Sequence, residues 1–198
     1  ACGRGVAAVE GGTGGCAVAS GMAAPAAVSE LLAAGSDVVA MDDISGGSFR
    51  LFGRVRRRTA GLDVSFVDLT DLAAFEAGIT PNTKMVWIET PTNPMLKIVD
   101  IAAVAAIAKR HGLIVVVDNT FASPMLQRPP ELGADPVLHS ATTYRNGPSD
   151  IVGGLSVAGD NAARAEQMAS RTHTGGGLEG QCNRLPAPRG LTHLPPLT

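Results

Sequence analysis

The chain has 198 residues, 45% of them hydrophobic, and a formal net charge of -2. That length and apolar content suffice for one large core, and the balanced charge gives no electrostatic footprint for nucleic acid. No apolar stretch reaches the roughly 20 residues that span a bilayer and no basic-then-apolar leader opens the chain, so a cytoplasmic protein with no membrane or nucleic-acid partner is expected.

Apolar runs alternate with helical patterns along the chain. Gly15 to Ala19 reads as a short small-residue strand ending at Ser20-Gly21-Met22, and Ala26 to Ala34 as a helix stopped by Gly35. Asp37 to Met41 is a second strand, Phe49 to Thr59 a second helix, Asp63 to Val67 a third strand and Asp71 to Ala77 a helix. Lys84 to Ile88, Leu113 to Val117 and Pro136 to His139 read as further strands, with a helix over Asp100 to His111 between the first two. After Gly154 the pattern weakens. Asn161 to Ser170 is a helix candidate, and Thr172 to Thr198 is rich in Gly and Pro. The alternation predicts an α/β fold with a mostly parallel sheet and helices on both faces. Ligands of such sheets sit at the carboxyl ends of the strands. Ser20, Asp42, Glu89, Asp118 and Ser140 all follow predicted strands, so one pocket is expected to collect them.

Cys2, Cys16 and Cys182 have no CxxC pairing and no His-rich companions, so neither a disulfide framework nor a metal site is supported. The basic run from Arg54 to Arg58 reads as a solvated helix face. The glycines from Gly11 to Gly15 lack the GxGxxG spacing of a dinucleotide fingerprint.

Asp118 follows four consecutive Ile or Val residues, which puts its carboxylate at the mouth of a buried strand. An unpaired charge there is costly. A protonated heterocyclic nitrogen would compensate it, as a carboxylate does for the pyridinium of pyridoxal phosphate; a turn cap on Asn119-Thr120 is the structural alternative. Ser20-Gly21-Met22 at a strand-to-helix turn, with the hydroxyls of Ser140 and Thr142, could form an anion cup, although Ser-Gly at a helix start also serves as a plain cap. Asn93 lies in a Thr-Asn-Pro turn signal that can equally be structural.

These segments carry a resemblance. ASGMAA at 19–24, RLF at 50–52, ETPTNP at 89–94, VDNTFASPMLQRP at 117–129 and LGAD at 132–135 resemble the cystathionine γ-lyase and γ-synthase family of pyridoxal-phosphate enzymes, which includes methionine γ-lyases. The match covers about Ala7 to Ala169, is most similar to bacterial cystathionine γ-lyase-like proteins, and has a weaker echo at Arg189-Gly190-Leu191. It implies a fold-type I large domain binding pyridoxal 5'-phosphate: Gly21, Met22, Ser140 and Thr142 on the phosphate, Asp118 on the ring nitrogen, Asn93 on the ring hydroxyl, Thr120 beneath the ring and Glu89 in support. It further implies a small sulfur amino-acid substrate, cleavage of cystathionine to cysteine, ammonia and 2-oxobutanoate, and a homo-oligomer of the tetramer-of-dimers type.

Three departures strike one site. The family's HSATKY reads HSATTY here, so Thr143 stands at the position of the Schiff-base lysine. Ser45 in DDISGGS replaces a tyrosine that stacks on the ring, and Pro148 replaces a histidine. Lys84, Lys97 and Lys109 are the chain's other candidates for an amine, and none lies in a matching motif. The resemblance therefore implies non-covalent cofactor binding and impaired catalysis, or a catalytically silent domain of the same fold. It also implies that residues 1–170 form the cofactor domain without the family's N-terminal arm, and that residues 171–198 are a remnant of the connection to a C-terminal domain.

Overall fold

The computed structural model describes residues 7–140, 153–159 and 161–174. Thr142, Thr143, Pro148, Cys2, Cys182 and Arg189-Gly190-Leu191 lie outside the described residues. Seven strands form one sheet: β1 (Gly14–Val18), β2 (Asp37–Met41), β3 (Asp63–Val67), β4 (Thr83–Glu89), β5 (Ile114–Asp118), β6 (Val137–Ser140) and β7 (Gly154–Ala158). Their spatial order is β1-β7-β6-β5-β4-β2-β3. β2, β3, β4, β5 and β6 pair in parallel, whereas β7 runs antiparallel to both β6 and β1. The sheet is α/β and mostly parallel, as expected.

The buried central strands explain the continuous apolar runs in the sequence. All five residues of β2 are buried, and so are Val115, Val116 and Val117 of β5, which is what helices on both faces of a parallel sheet require. Phe52 and Trp87 meet edge to face across the core with ring centroids 4.8 Å apart.

The helices are α1 (Ala23–Ser29), α2 (Gly46–Arg50, continuing as a π-helix over Leu51–Arg56 and closing at Arg57–Thr59), α3 (Leu72–Ala77), α4 (Ile101–Arg110), α5 (Ser123–Leu126) and α6 (Ala162–Thr174). Asp71 caps α3 by accepting from the Ala73 and Ala74 amides, and Asp100 caps α4 by accepting from Ala103 N at 2.9 Å. α4 ends at His111 and Gly112, where φ is +67°, a backbone state glycine adopts without penalty.

Two expectations need correction. The helix expected over Ala26 to Ala34 is α1, which begins earlier and stops at Ser29. The Ser29 hydroxyl donates back to Ala26 O at 2.6 Å, and the amides of Glu30, Leu31 and Leu32 turn to carbonyls three residues back, which tightens and ends the helix. The weak pattern after Gly154 conceals β7, whose five residues are all buried between β1 and β6. Gly154 is fitted to its place there, since a Cβ would lie 2.2 Å from Ser20 O.

Among the described residues no helix is long and apolar enough to cross a membrane, and no group of His, Cys, Asp and Glu is placed to hold a metal ion.

Candidate cofactor site

The chain leaves β2 toward β3 on one side and leaves β4 toward β5 on the other, so the carboxyl ends of these neighbouring strands diverge. A crevice at such a switch point is where open α/β sheets hold ligands. A cavity of about 650 Å³ opens at this edge of the sheet, lined by residues that include Ser20, Gly21, Met22, Ser45, Glu89, Asn93, Asp118, Thr120 and Ser140. It brings together four of the five polar residues expected to share a pocket. Asp42 is the exception. Its carboxylate turns to Lys97 Nζ at 2.9 Å, and the same ammonium meets Asp68 at 2.8 Å, so Asp42 belongs to an ion-pair cluster and not to the cavity lining.

The β1–α1 turn packs hard against the end of β6. A Cβ on Gly21 would lie 2.5 Å from Ser140 Oγ, and one on Gly47 would lie 2.5 Å from Met22 Sδ. At Gly21 the short Ser140 side chain leaves no room for a Cβ, whereas at Gly47 the flexible Met22 side chain would have to swing aside. Ser20 Oγ accepts from Ala23 N at 3.1 Å, which closes the turn leading into α1, whose N-cap position is Met22.

Asp118 ends β5 on the cavity floor. Thr120 donates to its Oδ1 from both the amide at 3.1 Å and the hydroxyl at 2.5 Å, and the Thr120 hydroxyl accepts from Ser140 N at 2.8 Å. A relay therefore runs from the β6 backbone through Thr120 to the carboxylate. Both bonds fall on Oδ1. Burial pushes the Asp118 carboxyl up from its ordinary pKa, against the pull of the Thr120 bonds. The turn-cap role and a cavity-facing role thus coexist in one residue.

Glu89 ends β4 beside it and is 5% exposed. Burial, and then the neighbouring Asp118 charge, push its carboxyl up to about 7, opposed by hydrogen bonds from Ser45 and Asn93. The Ser45 amide donates to Glu89 Oε2 at 2.9 Å. Asn93 sits on the exposed loop after β4. That loop is tied down by Asp43 Oδ2, which accepts from the Thr92 hydroxyl at 2.5 Å and from Met95 N at 3.0 Å.

The pairings of Asp43 with Thr92 and of Asp42 with Lys97 each join residues about fifty positions apart, so the sequence did not group them. The repeated acids at Asp42-Asp43 and the Thr-rich ETPTNP segment were the signal available. Phe121 and Ser48 also line the cavity without having been singled out. None of the three lysines lines it: Lys84 bonds Pro81 O, Lys97 is held by the two acids, and Lys109 borders a separate depression on α4.

Residues 2–194 match the family of Cys/Met metabolism PLP-dependent enzymes. Cystathionine beta-lyase of Coxiella burnetii is 52% identical over 191 residues, covering 96% of this chain and 49% of that protein. A probable cystathionine gamma-synthase of Herpetosiphon aurantiacus is 52% identical over 136 residues, covering 69% of this chain and 42% of that protein. The crystal structure of cystathionine gamma-lyase from Lactobacillus plantarum complexed with L-serine superposes with a TM-score of 0.96 at 42% identity, covering 98% of this chain and 51% of that one. The chain thus spans about half the length of these relatives. With a family match over nearly its whole length and a fold shared at this identity, the chain belongs to the Cys/Met metabolism PLP-dependent enzyme family.

Proposed function

We propose that this chain is the cofactor-binding domain of a cystathionine γ-lyase-like carbon–sulfur lyase, that it holds pyridoxal 5'-phosphate without a covalent bond, and that its turnover is impaired by Thr143. The observation that carries this reading is the pair formed by the Asp118 carboxylate on the cavity floor and the glycine-tight contact of Gly21 with Ser140 on the cavity wall. A planar heterocycle with a cationic nitrogen and a phosphate arm fits both. Residues 1–170 would make up this domain.

Asp118 would pair with the ring nitrogen through the oxygen not taken by Thr120. The Gly21 and Met22 amides, with the hydroxyls of Ser140 and Thr142, would take the phosphate. Asn93 would meet the ring hydroxyl, and Thr120 would support the ring while holding Asp118 in place. Pyridoxal phosphate supplies an electron sink for bonds broken next to an amino acid's Cα. The fit fails at one point, which is the amine. Thr143 offers only a hydroxyl, and Lys84, Lys97 and Lys109 are engaged elsewhere or face away. Proton transfer at the substrate would lose a positioned base usually contributing about 10²- to 10⁴-fold. Ser45 leaves the ring without an aromatic stack, a loss of about 1 kcal/mol.

The substrate would be a sulfur amino acid, and a second copy of the chain would adjoin the cavity. Met95, Ile98 and Leu126, on segments that follow β4 and β5, are 69%, 68% and 73% exposed, which favours a covered, homo-oligomeric face. A cytoplasmic setting accords with this chemistry.

The test compares the chain with its Thr143→Lys variant. The chain should bind pyridoxal phosphate reversibly, with no cofactor fixed to Lys84, Lys97 or Lys109 after borohydride reduction. The variant should show reduced cofactor fixed at position 143 and should release 2-oxobutanoate and cysteine from cystathionine. Pyruvate and homocysteine would instead assign cleavage on the β side. Absence of cofactor binding in both proteins would refute the reading.

A further inference from the structure

Two carboxylates reach the cavity side by side. Glu89 and Asp118 are register partners on the parallel strands β4 and β5, strands of such a pair lie about 4.8 Å apart, and both residues line the cavity. Among the described residues the lining contains no Lys, Arg or His. The nearby charges are committed elsewhere. Asp42 faces Lys97, Asp43 faces Thr92 and Met95, and His139 of β6 faces Glu10. Around Glu89 itself, the segment after β2 contributes the Ser45 amide, the loop after β4 contributes Asn93, and β5 contributes Asp118.

Two like charges this close in a sheltered cavity cannot both ionise without penalty, so the pair titrates as a unit. The neighbours decide which member keeps the proton. Asp118 Oδ1 receives two bonds from Thr120, both favouring its anion. Glu89 also accepts bonds, from Ser45 and Asn93, but at 5% exposure it presents less surface to water than the half-buried Asp118, and it sits next to that anion.

We propose that Glu89 is the proton store of this cavity: it holds a proton while Asp118 has no cationic partner, and gives it up to water when a cationic ring nitrogen settles against Asp118. The step balances. The ring's positive charge offsets Asp118, the repulsion on Glu89 falls, the Glu89 O–H bond breaks, and one proton enters solvent. Glu89 then becomes a carboxylate bonded by the Ser45 amide, which fixes the segment that borders the ring. The identity of the ring rests on the cofactor reading above; the proton store itself does not.

The experiment is infrared difference spectroscopy of the chain without added ligand, followed by pyridoxal phosphate. A protonated-carboxyl band should be present at about pH 6 and lost by about pH 8. It should be absent from Glu89→Gln, and in Asp118→Asn it should persist with its midpoint moved to lower pH, by about one pH unit or more, which corresponds to tenfold in proton affinity. Should Glu89→Gln fail to fold, the Asp118→Asn midpoint decides. Lack of such a band, or its disappearance in Asp118→Asn, would overturn the proposal, the latter by assigning the proton to Asp118. Pyridoxal phosphate added at neutral pH should abolish the band. If the band behaves as stated and no pyridoxal phosphate binds, the cofactor reading falls and the proton store stands. If pyridoxal phosphate binds and no band was present beforehand, the reverse holds.

Discussion

Gly21 stands so close to Ser140 that a methyl group on its Cα would lie 2.5 Å from the Ser140 Oγ and 2.8 Å from its Cβ. Two strands far apart in sequence are thereby joined at one corner of the cavity, and the corner is where an anion would be held. Interiors packed at this density do not absorb an extra methyl without a shift of backbone. Gly21→Ala should weaken pyridoxal phosphate binding about tenfold or more, equivalent to about 1.4 kcal/mol. Gly46→Ala, whose Cβ would approach only the flexible end of Arg50 at 3.4 Å, should leave affinity within about twofold. Equilibrium titration followed by cofactor fluorescence separates the two; equal affinities would show that the corner is not the anion site.

Thr120 is the middle member of a relay, and its removal orphans groups on both sides. Thr120→Val keeps the shape but leaves Ser140 N without its 2.8 Å acceptor and Asp118 without a hydroxyl donor. An unsatisfied buried polar group costs about 1–3 kcal/mol, so the variant should lose about that much stability in urea unfolding. Thr120→Ser should recover most of it. Failure of the serine variant to recover would mean that the methyl group, and not the hydroxyl, is what matters at this position.

The parts of this site that were legible in the sequence are those with local signatures. Asp118 is announced by the four β-branched residues that precede it, and Gly21 by a strand-to-helix turn. The polar residues at strand ends converge because parallel strands all point the same way. The ion-pair cluster of Lys97 with Asp42 and Asp68 has no such signature, since its members come from three loops and meet only after the sheet forms. β7 escaped because its alternation, Leu155 and Val157 set between Gly154, Ser156 and Ala158, is only five residues long and made largely of small side chains, although every residue is buried. The π-helical stretch Leu51–Arg56 kept the apolar spacing of an ordinary helix. Local pattern thus located the helix without its winding.

Three pH windows follow from the carboxylates and the lysine. Glu89 rises from its usual 4.5 to about 7 on folding, so the unfolded chain loses its proton first and stability must fall as pH rises from about 4.5 to about 7. At about 1.4 kcal/mol for each tenfold change in proton affinity, the loss is on the order of 3 kcal/mol, and the upward push on Asp118 adds in the same direction. Asp68 is lowered to about 2, chiefly by its bond from Lys97, and contributes stability above its usual 3.8 that is lost as pH falls toward about 2. Lys97 is raised to about 12, chiefly by Asp68, and contributes stability below 10.5 that is lost as pH rises toward about 12. Glu89→Gln should reduce the slope of the middle window, to which Asp118 also contributes, and leave the outer ones, whereas Lys97→Met should flatten the two outer ones, in melting temperature measured against pH. A middle slope unchanged in Glu89→Gln would remove Glu89 as its source.

Phe52 and Trp87 make the core contact whose loss should reach the cavity. Trp87, the single tryptophan of the chain, is fully buried on β4, two residues before Glu89, and Phe52 lies in the π-helical part of α2, a few residues after Ser45 and Gly47. Their rings meet at 66° and 4.8 Å, a geometry worth about 0.5–1.5 kcal/mol beyond the area it buries. Phe52→Ala should cost about 3–5 kcal/mol, and Phe52→Leu clearly less because most of the volume is kept. Trp87 emission reports the transition directly, moving to longer wavelength as the indole meets water. Because α2 also carries Gly47 and Ser48 on the cavity wall, Phe52→Leu should loosen that wall and weaken pyridoxal phosphate binding by more than an equally destabilising change on α4, such as Val104→Ala. Equal losses for the two variants would mean that global stability alone, and not the seating of α2 on β4, sets the affinity.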